Sequence, residues 1–191
     1  MPPLRPGHLF VFSGPSGTGK GTVLAELIKR NPALWFSLSA TTRAPRPGEV
    51  EGREYLFCSR ADFERLIATD GLLEWAQVFD HYYGTPRTPI EEHTAAGIDC
   101  ILDIDVQGAL QVRDRLPEAV LIFLVPPSLE ALRERLTTRG TETAAEIEQR
   151  LAGAEDEMAR QNEYNYVLMN VTIDETVARI EDILATYRLK E

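Results

Sequence analysis

The chain is short of cysteine and of positive charge, and it has no long apolar run. Each shortage closes off a class of protein. Cys58 and Cys100, the 2 cysteines, sit in separate apolar, strand-like runs and cannot form a disulfide framework. Reduced, buried thiols are the expectation, and a single bridge is the alternative. Lys and Arg number 20 against 30 Asp and Glu, a formal net charge of -10. Duplex binding needs a basic face to neutralise phosphates, so no nucleic-acid partner is expected. A small anionic ligand stays open wherever positive charge is gathered locally. The longest apolar run, "AVLIFLV" at 119–125, is too short to span a bilayer. The N-terminal "MPPLRPGHLF" has no apolar stretch of signal-peptide length. No membrane partner is expected, and the location is expected to be cytoplasmic. Repeats and low-complexity tails are absent, and the sequence leaves oligomeric state open.

What is there reads as an ordinary globular protein. The 191 residues, 43% hydrophobic and 26% charged, suit one domain with a single core and room for a mobile insertion. "HLFVFS" (8–13) is a compact apolar run read as a buried strand, and "KGTVLAELIKR" sets Val23, Leu27 and Ile28 on one helical face before Pro32. Buried strands follow at 100–105 ("CILDID"), 120–126 ("VLIFLVP") and 166–169 ("YVLM"), each leading into a helical pattern. Strands alternating with helices predict a parallel sheet covered on both faces, an α/β fold.

Two stretches break the alternation. Residues about 40–95 carry "TTRAPRPGEVEGREYLF", a short helix "RADFERLIA" and strand-like "LLEWAQVF" and "YYGTP", which predict an α+β insertion. Residues about 137–146 form a second polar insertion in which Thr143 and Glu146 make a capping box for the next helix. Two polar insertions on one sheet suggest two flaps over a site.

Between the first strand and the first helix lies "SGPSGTGKGT" (13–22). Gly14, Gly19 and Lys20 fit the phosphate-loop spacing G-x-x-x-x-G-K-[ST], but Gly21 stands where a hydroxyl normally reaches Mg²⁺. A glycine-rich turn entering a helix offers backbone N–H groups and a helix N-terminus to a phosphate chain. Lys20 adds a mobile charge for the terminal phosphates. Thr22 still supplies a hydroxyl, and Mg²⁺ can be held mainly by substrate phosphates.

"SGPSGTGKGT", "SLSATTRAPRPGEVEGREY", "EWAQVFDHYYGTP", "ILDIDVQGA" and "RLTTRGTET", in that order, closely resemble the guanylate kinases, from about residue 7 to 188. The resemblance implies a P-loop nucleoside monophosphate kinase. Its core would be 1–39, 96–136 and 147–191, its GMP-binding insertion about 40–95 and its lid about 137–146. It implies the reaction ATP + GMP = ADP + GDP with Mg²⁺, within purine nucleotide metabolism and GMP recycling. Residues 14–22 (Gly14, Pro15, Ser16, Gly17, Thr18, Gly19, Lys20, Gly21 and Thr22) would bind ATP, with Asn170 beside its adenine. Arg43, Arg46, Tyr55 and Tyr83 would surround the GMP phosphate, and their donors suit an anion. Read without the resemblance, that segment is as well a solvated loop, since Glu49, Glu51 and Glu54 are close by.

By the same likeness Glu74 would read guanine, accepting from N1–H and the 2-amino group, with Ser39 and Thr85 completing base recognition. Adenine would leave that carboxylate unpaired. Asp103 and Asp105 alternate at the C-terminal end of a strand, which puts both on one face, where ligands bind in open α/β sheets. Asp103 is assigned to Mg²⁺ through water and Asp105 to the GMP side, without a decision between the two roles; capping the next helix is Asp105's other reading. Lys20, Arg43 and the arginines that match the lid's, Arg135, Arg139 and Arg150, would act on the transferring phosphoryl group, while Arg133 reads as a surface arginine. One departure stands out: the family often has Asn-Asp-Asp where this chain has "NVT" at 170–172. Two rivals remain from the sequence, a ribose bisphosphate kinase and a catalytically silent peptide-binding module. Glu74 argues against the first, and the intact Lys20 and loop glycines against the second.

Overall fold

The computed structural model describes residues 6–139 and 143–189, with the side chain of Arg139 outside that description. Five strands form the larger sheet: β1 (Leu9–Ser13), β2 (Trp35–Phe36), β7 (Cys100–Asp103), β8 (Val120–Val125) and β9 (Tyr166–Met169). Their spatial order is β2-β7-β1-β8-β9, with β2 parallel to β7 and β8 parallel to β9. Helices flank this sheet, so the predicted α/β class holds. Non-consecutive neighbours require crossovers, which is why helices alternate with these strands. β1 and β8 are buried along their whole length, as their continuous apolar sequences demand.

The chain divides into two compact units. One comprises Met1–Phe10, Ala33–Leu102 and Gln107–Ala119. Its smaller sheet joins β3 (Ala40–Thr41), β4 (Leu56–Phe57), β5 (Leu72–Val78) and β6 (His81–Pro86) in the order β4-β3-β6-β5. Helix α2 (Arg60–Ala68) begins where Ser59 accepts from the Asp62 N–H at 3.1 Å, an N-cap worth about 1 kcal/mol. It buries Phe63 against Ala40 and Leu72, with Tyr82 stacked on the Phe63 ring at 5.2 Å. Full burial of such a ring contributes about 2–3 kcal/mol. Helices α3 (Arg87–Ala95) and α4 (Val106–Arg115) follow β6 and β7. Gly7 has to be glycine, because a Cβ there would meet the Ile98 carbonyl oxygen at 2.0 Å.

The other unit comprises Val11–Pro32, Asp103–Val106 and Val120–Glu191. Helix α1 (Lys20–Arg30) buries Val23, Leu24 and Leu27 and packs against α7 (Ile173–Leu189). Ile28, expected on that buried face, is only half covered. α5 (Leu129–Arg139) and α6 (Ala144–Met158) pack through Leu132, Leu136, Ile147, Leu151 and Ala154. α6 opens on the predicted capping box: Thr143 Oγ1 accepts from the Glu146 N–H at 3.3 Å, and Glu146 accepts from the Thr143 N–H at 2.7 Å.

The two cysteines are free, Cys58 half-buried and Cys100 buried. Burial raises both thiol pKa values, Cys100 to about 12.

Candidate active site

The phosphate loop runs from the C-terminal end of β1 to the first turn of α1. Its backbone needs glycine: Gly14 lies at φ 143°, Gly17 at 89° and Gly19 at 88°. A Cβ on Gly14 would stand 2.2 Å from the Leu124 carbonyl oxygen, and one on Gly17 would press on Leu132 at 2.9 Å. Gly19 is the N-cap of α1, no side chain caps it, and the first turn holds no acidic residue. A helix start left in this state keeps its N–H groups and positive dipole end for an anion. Gly21 is exposed, and a Cβ there would meet nothing within 4 Å.

Lys20 is paired with Asp103, the last residue of β7. Asp105 lies beyond the strand's end, immediately before α4, and is exposed. The expectation that both carboxylates share a strand face therefore gives way: the strand stops at Asp103. Its Ile104 N–H turns to the Phe12 carbonyl of β1 at 3.1 Å, which closes this corner of the loop.

Two of the expected lid arginines reach the loop. Arg135 Nη1 donates to the Thr18 carbonyl at 3.0 Å, and Arg150 Nη1 donates to Ser16 Oγ at 3.0 Å. The side chain of Arg139 and residues 140–142, the middle of the expected lid, lie outside the described residues. Arg133 instead pairs with Glu148, as a surface arginine would. Asn170, expected beside adenine, is buried and donates its amide to the Thr18 carbonyl at 2.6 Å.

Glu157 joins this region although the sequence reading passed over it. Burial first, then Asp105, raises its carboxyl above the ordinary value, while Lys20 opposes them. The signal was present: Ile147, Leu151 and Ala154 mark the buried stripe of α6, and Glu157 continues it one turn on. Tyr164 is buried too, and burial pushes its phenol up to about 12.

The second group lies in the other unit. Arg43 presents both guanidinium nitrogens to Glu49, each at 2.9 Å, and Nη1 also donates to the Ala44 carbonyl at 2.7 Å. Its guanidinium stands over the Tyr55 ring at 5.4 Å, and the Tyr55 and Tyr83 rings meet edge-on at 6.0 Å. Glu49, then Tyr83, raises the Arg43 pKa above its ordinary value. Arg43 in turn lowers that of Glu49, which also accepts from the Arg46 N–H at 2.7 Å. Arg43, Tyr55 and Tyr83 are thus assembled, Arg46 joins through its backbone, and Glu49 is the member the sequence reading treated as solvated charge.

Glu74 is 6% exposed and stands opposite Thr85 in the antiparallel register of β5 and β6. Thr85 Oγ1, itself buried, donates to Glu74 Oε1 at 2.6 Å. Ser39 is half-buried immediately before β3, and its carbonyl accepts from the Leu56 N–H at 3.0 Å. A buried carboxylate fixed by a hydroxyl can accept from a ligand that offers paired donors.

The family model described as guanylate kinase matches residues 7–187. The chain is 52% identical over 177 residues to a guanylate kinase of Gloeobacter violaceus, covering 93% of this chain and 86% of that protein. It is 49% identical over 182 residues to one of Thermus thermophilus, covering 95% of this chain and 82% of that protein. Among solved structures, a guanylate kinase of Anaplasma phagocytophilum superposes with a TM-score of 0.77 at 37% identity, covering 97% of this chain and 88% of that one.

Proposed function

Because the chain belongs to the guanylate kinase family, and is therefore a nucleoside monophosphate kinase that moves a phosphoryl group from ATP to GMP, we propose how its residues divide that work. The product GDP would enter purine nucleotide metabolism, with GMP recycled by the same step, in the cytoplasm. Nothing among the described residues is long and apolar enough to form a membrane-spanning helix.

Residues 14–22 bind the ATP phosphates on the N-terminus of α1. Lys20 leaves Asp103 and turns to the β- and γ-phosphates. Arg135, Arg139 and Arg150 neutralise charge on the phosphoryl group as it passes, and Arg43 and Arg46 do the same from the acceptor phosphate. Phosphoryl transfer asks for alignment and charge stabilisation, and the nucleophile is an already ionised phosphate oxygen, so no general base is needed. Tyr55 and Tyr83 add hydroxyl donors to the GMP phosphate, and Ser39, Glu74 and Thr85 hold the base.

Among the described residues no cluster of three or more His, Cys, Asp or Glu side chains could hold a metal by itself. Mg²⁺ would arrive on the nucleotide, keeping most of its waters and needing little from the protein. Asp103, freed from Lys20, would hold it through water, and Thr22, two residues after Lys20, would offer a hydroxyl. Mg²⁺ would supply positive charge against the charge that develops on the phosphates.

The observation that carries the base assignment is the buried Glu74–Thr85 pair. A coupled ADP-release assay with Mg·ATP tests it, comparing GMP, AMP, UMP and ribose 1,5-bisphosphate. Turnover with GMP alone, lost or relaxed in Glu74→Gln, is the expected result. Equal turnover of GMP and AMP by the parent would overturn the reading.

A further inference from the structure

Two residues on the far side of the phosphate loop make hydrogen bonds that reading the base would not require. Asn170 follows β9, is 4% exposed, and its N–H donates to the Val125 carbonyl at 2.9 Å. Its side-chain amide donates to the Thr18 carbonyl at 2.6 Å. Its amide oxygen faces Thr176 Oγ1 at 3.0 Å, whose hydroxyl proton is shared with the Thr172 carbonyl at 2.8 Å, and Thr176, in the first turn of α7, is 1% exposed. The Thr18 carbonyl accepts a second bond, from Arg135 Nη1 at 3.0 Å, and Arg135 Nη2 donates to the Asn170 carbonyl at 3.2 Å.

The chemistry leaves little choice of partner. A backbone carbonyl only accepts, so Asn170 must present its NH₂ to Thr18, which turns its oxygen toward the Thr176 hydroxyl. The packing is equally close: a Cβ on Gly19 would sit 2.8 Å from Asn170 Nδ2.

We propose that Asn170 and Thr176 are positioning residues that set the phosphate loop. The peptide joining Thr18 to Gly19 is planar and trans, so its C=O and N–H point in opposite directions. Anchoring the Thr18 carbonyl therefore aims the Gly19 N–H away from Asn170 at the very residue that caps α1. A loop amide held in advance binds phosphate without first giving up rotational freedom. On this account Asn170 acts on the triphosphate through the backbone, whatever it does for adenine. The inference rests on the phosphate loop being the ATP site.

Inorganic tripolyphosphate separates the two roles because it has phosphates and no base. Its affinity, that of Mg·ATP and that of GMP would be measured by calorimetry for the parent, Asn170→Ala, Thr176→Val and Thr176→Ser. The expected result is a loss on the order of 10-fold for both Mg·ATP and tripolyphosphate in the first two variants, by similar factors. Thr176→Ser keeps the parent's values, and GMP affinity does not move in any variant. Unchanged tripolyphosphate affinity in Asn170→Ala, with Mg·ATP weakened, would assign Asn170 to the base and overturn the proposal. Unchanged affinities in Thr176→Val would overturn it as well. If Asn170→Ala melts below the assay temperature, Thr176→Val against Thr176→Ser decides alone. Lys20→Ala reports on the underlying premise: undiminished Mg·ATP affinity there would remove the loop as the ATP site, a failure distinct from that of Asn170 and Thr176.

Discussion

Thr85 gives its hydroxyl proton to Glu74 across two antiparallel strands, at 2.6 Å, where both side chains are buried. The hydroxyl holds one carboxylate oxygen in a fixed direction, which is what a base-reading acceptor needs. Thr85→Val removes the donor and keeps the shape. GMP KM should rise roughly 10-fold with kcat little changed, whereas Thr85→Ser should behave as the parent. Steady-state kinetics over a GMP range checks this. An unchanged KM in Thr85→Val would mean that Glu74 is held by other partners.

The glycines of the phosphate loop should not respond alike to alanine. Gly14→Ala places a methyl against the Leu124 backbone at φ 143°, and neither can yield cheaply. A loss of at least about 2 kcal/mol is expected, visible as a lower urea midpoint. Gly21→Ala meets open space in the first turn of α1, and should raise stability by about 0.5 kcal/mol. A matching loss in both variants would contradict the assigned backbone.

Arg150 reaches Ser16 of the phosphate loop from α6 at 3.0 Å. If it neutralises charge on the transferring group, Arg150→Ala should lower kcat by about 10²-fold or more and leave GMP binding as it was. Arg150→Lys should recover only part, because a lysine cannot reproduce the planar fork. Pre-steady-state measurement of the chemical step is the relevant check, since product release can mask it.

The acidic residues predict opposite responses to pH. Glu49 (first through Arg43), Glu146 (through the Thr143 N–H) and Glu148 (through Arg133) all have pKa values lowered in the fold. Their contribution is present above the ordinary value of 4.5 and is lost as pH falls through the lowered values. Glu157 is the reverse: its folded value is raised, first by burial, so its ionised form opposes folding at neutral pH. Glu157→Gln should therefore raise the melting temperature at pH 7, and the gain should fade as pH falls toward 4.5. A gain that persists unchanged at low pH would show that packing, not charge, is responsible.

How far the sequence reading reached depended on how local each constraint was. The phosphate loop was legible because its backbone angles restrict the residue type at Gly14, Gly17 and Gly19. Helix α2 was read with the bounds found, since Ser59 caps it and Thr69 ends it. β7 was read two residues too long, because apolar alternation in "CILDID" continues past the point where the chain turns at Ile104. β2, only two residues long, leaves no periodic signal, and α3 was hidden by Pro89, which a helix tolerates in its first turn. Glu49 could not be told from a solvated charge, because its partner is a folded-state geometry that spacing does not encode. Asn170 was placed by likeness beside the base, and its bond to the Thr18 carbonyl, 152 positions away in sequence, has no local signature.

The two raised thiol values have a practical side. A thiol reacts as its thiolate, and at neutral pH neither Cys58 nor Cys100 carries much of that form. The native chain is close to a blank background for maleimide chemistry. A cysteine introduced at an exposed position such as Val50, 49% accessible, would take up a dye far faster than either native thiol. Fluorescence at that one position could then follow GMP binding without any native residue being removed.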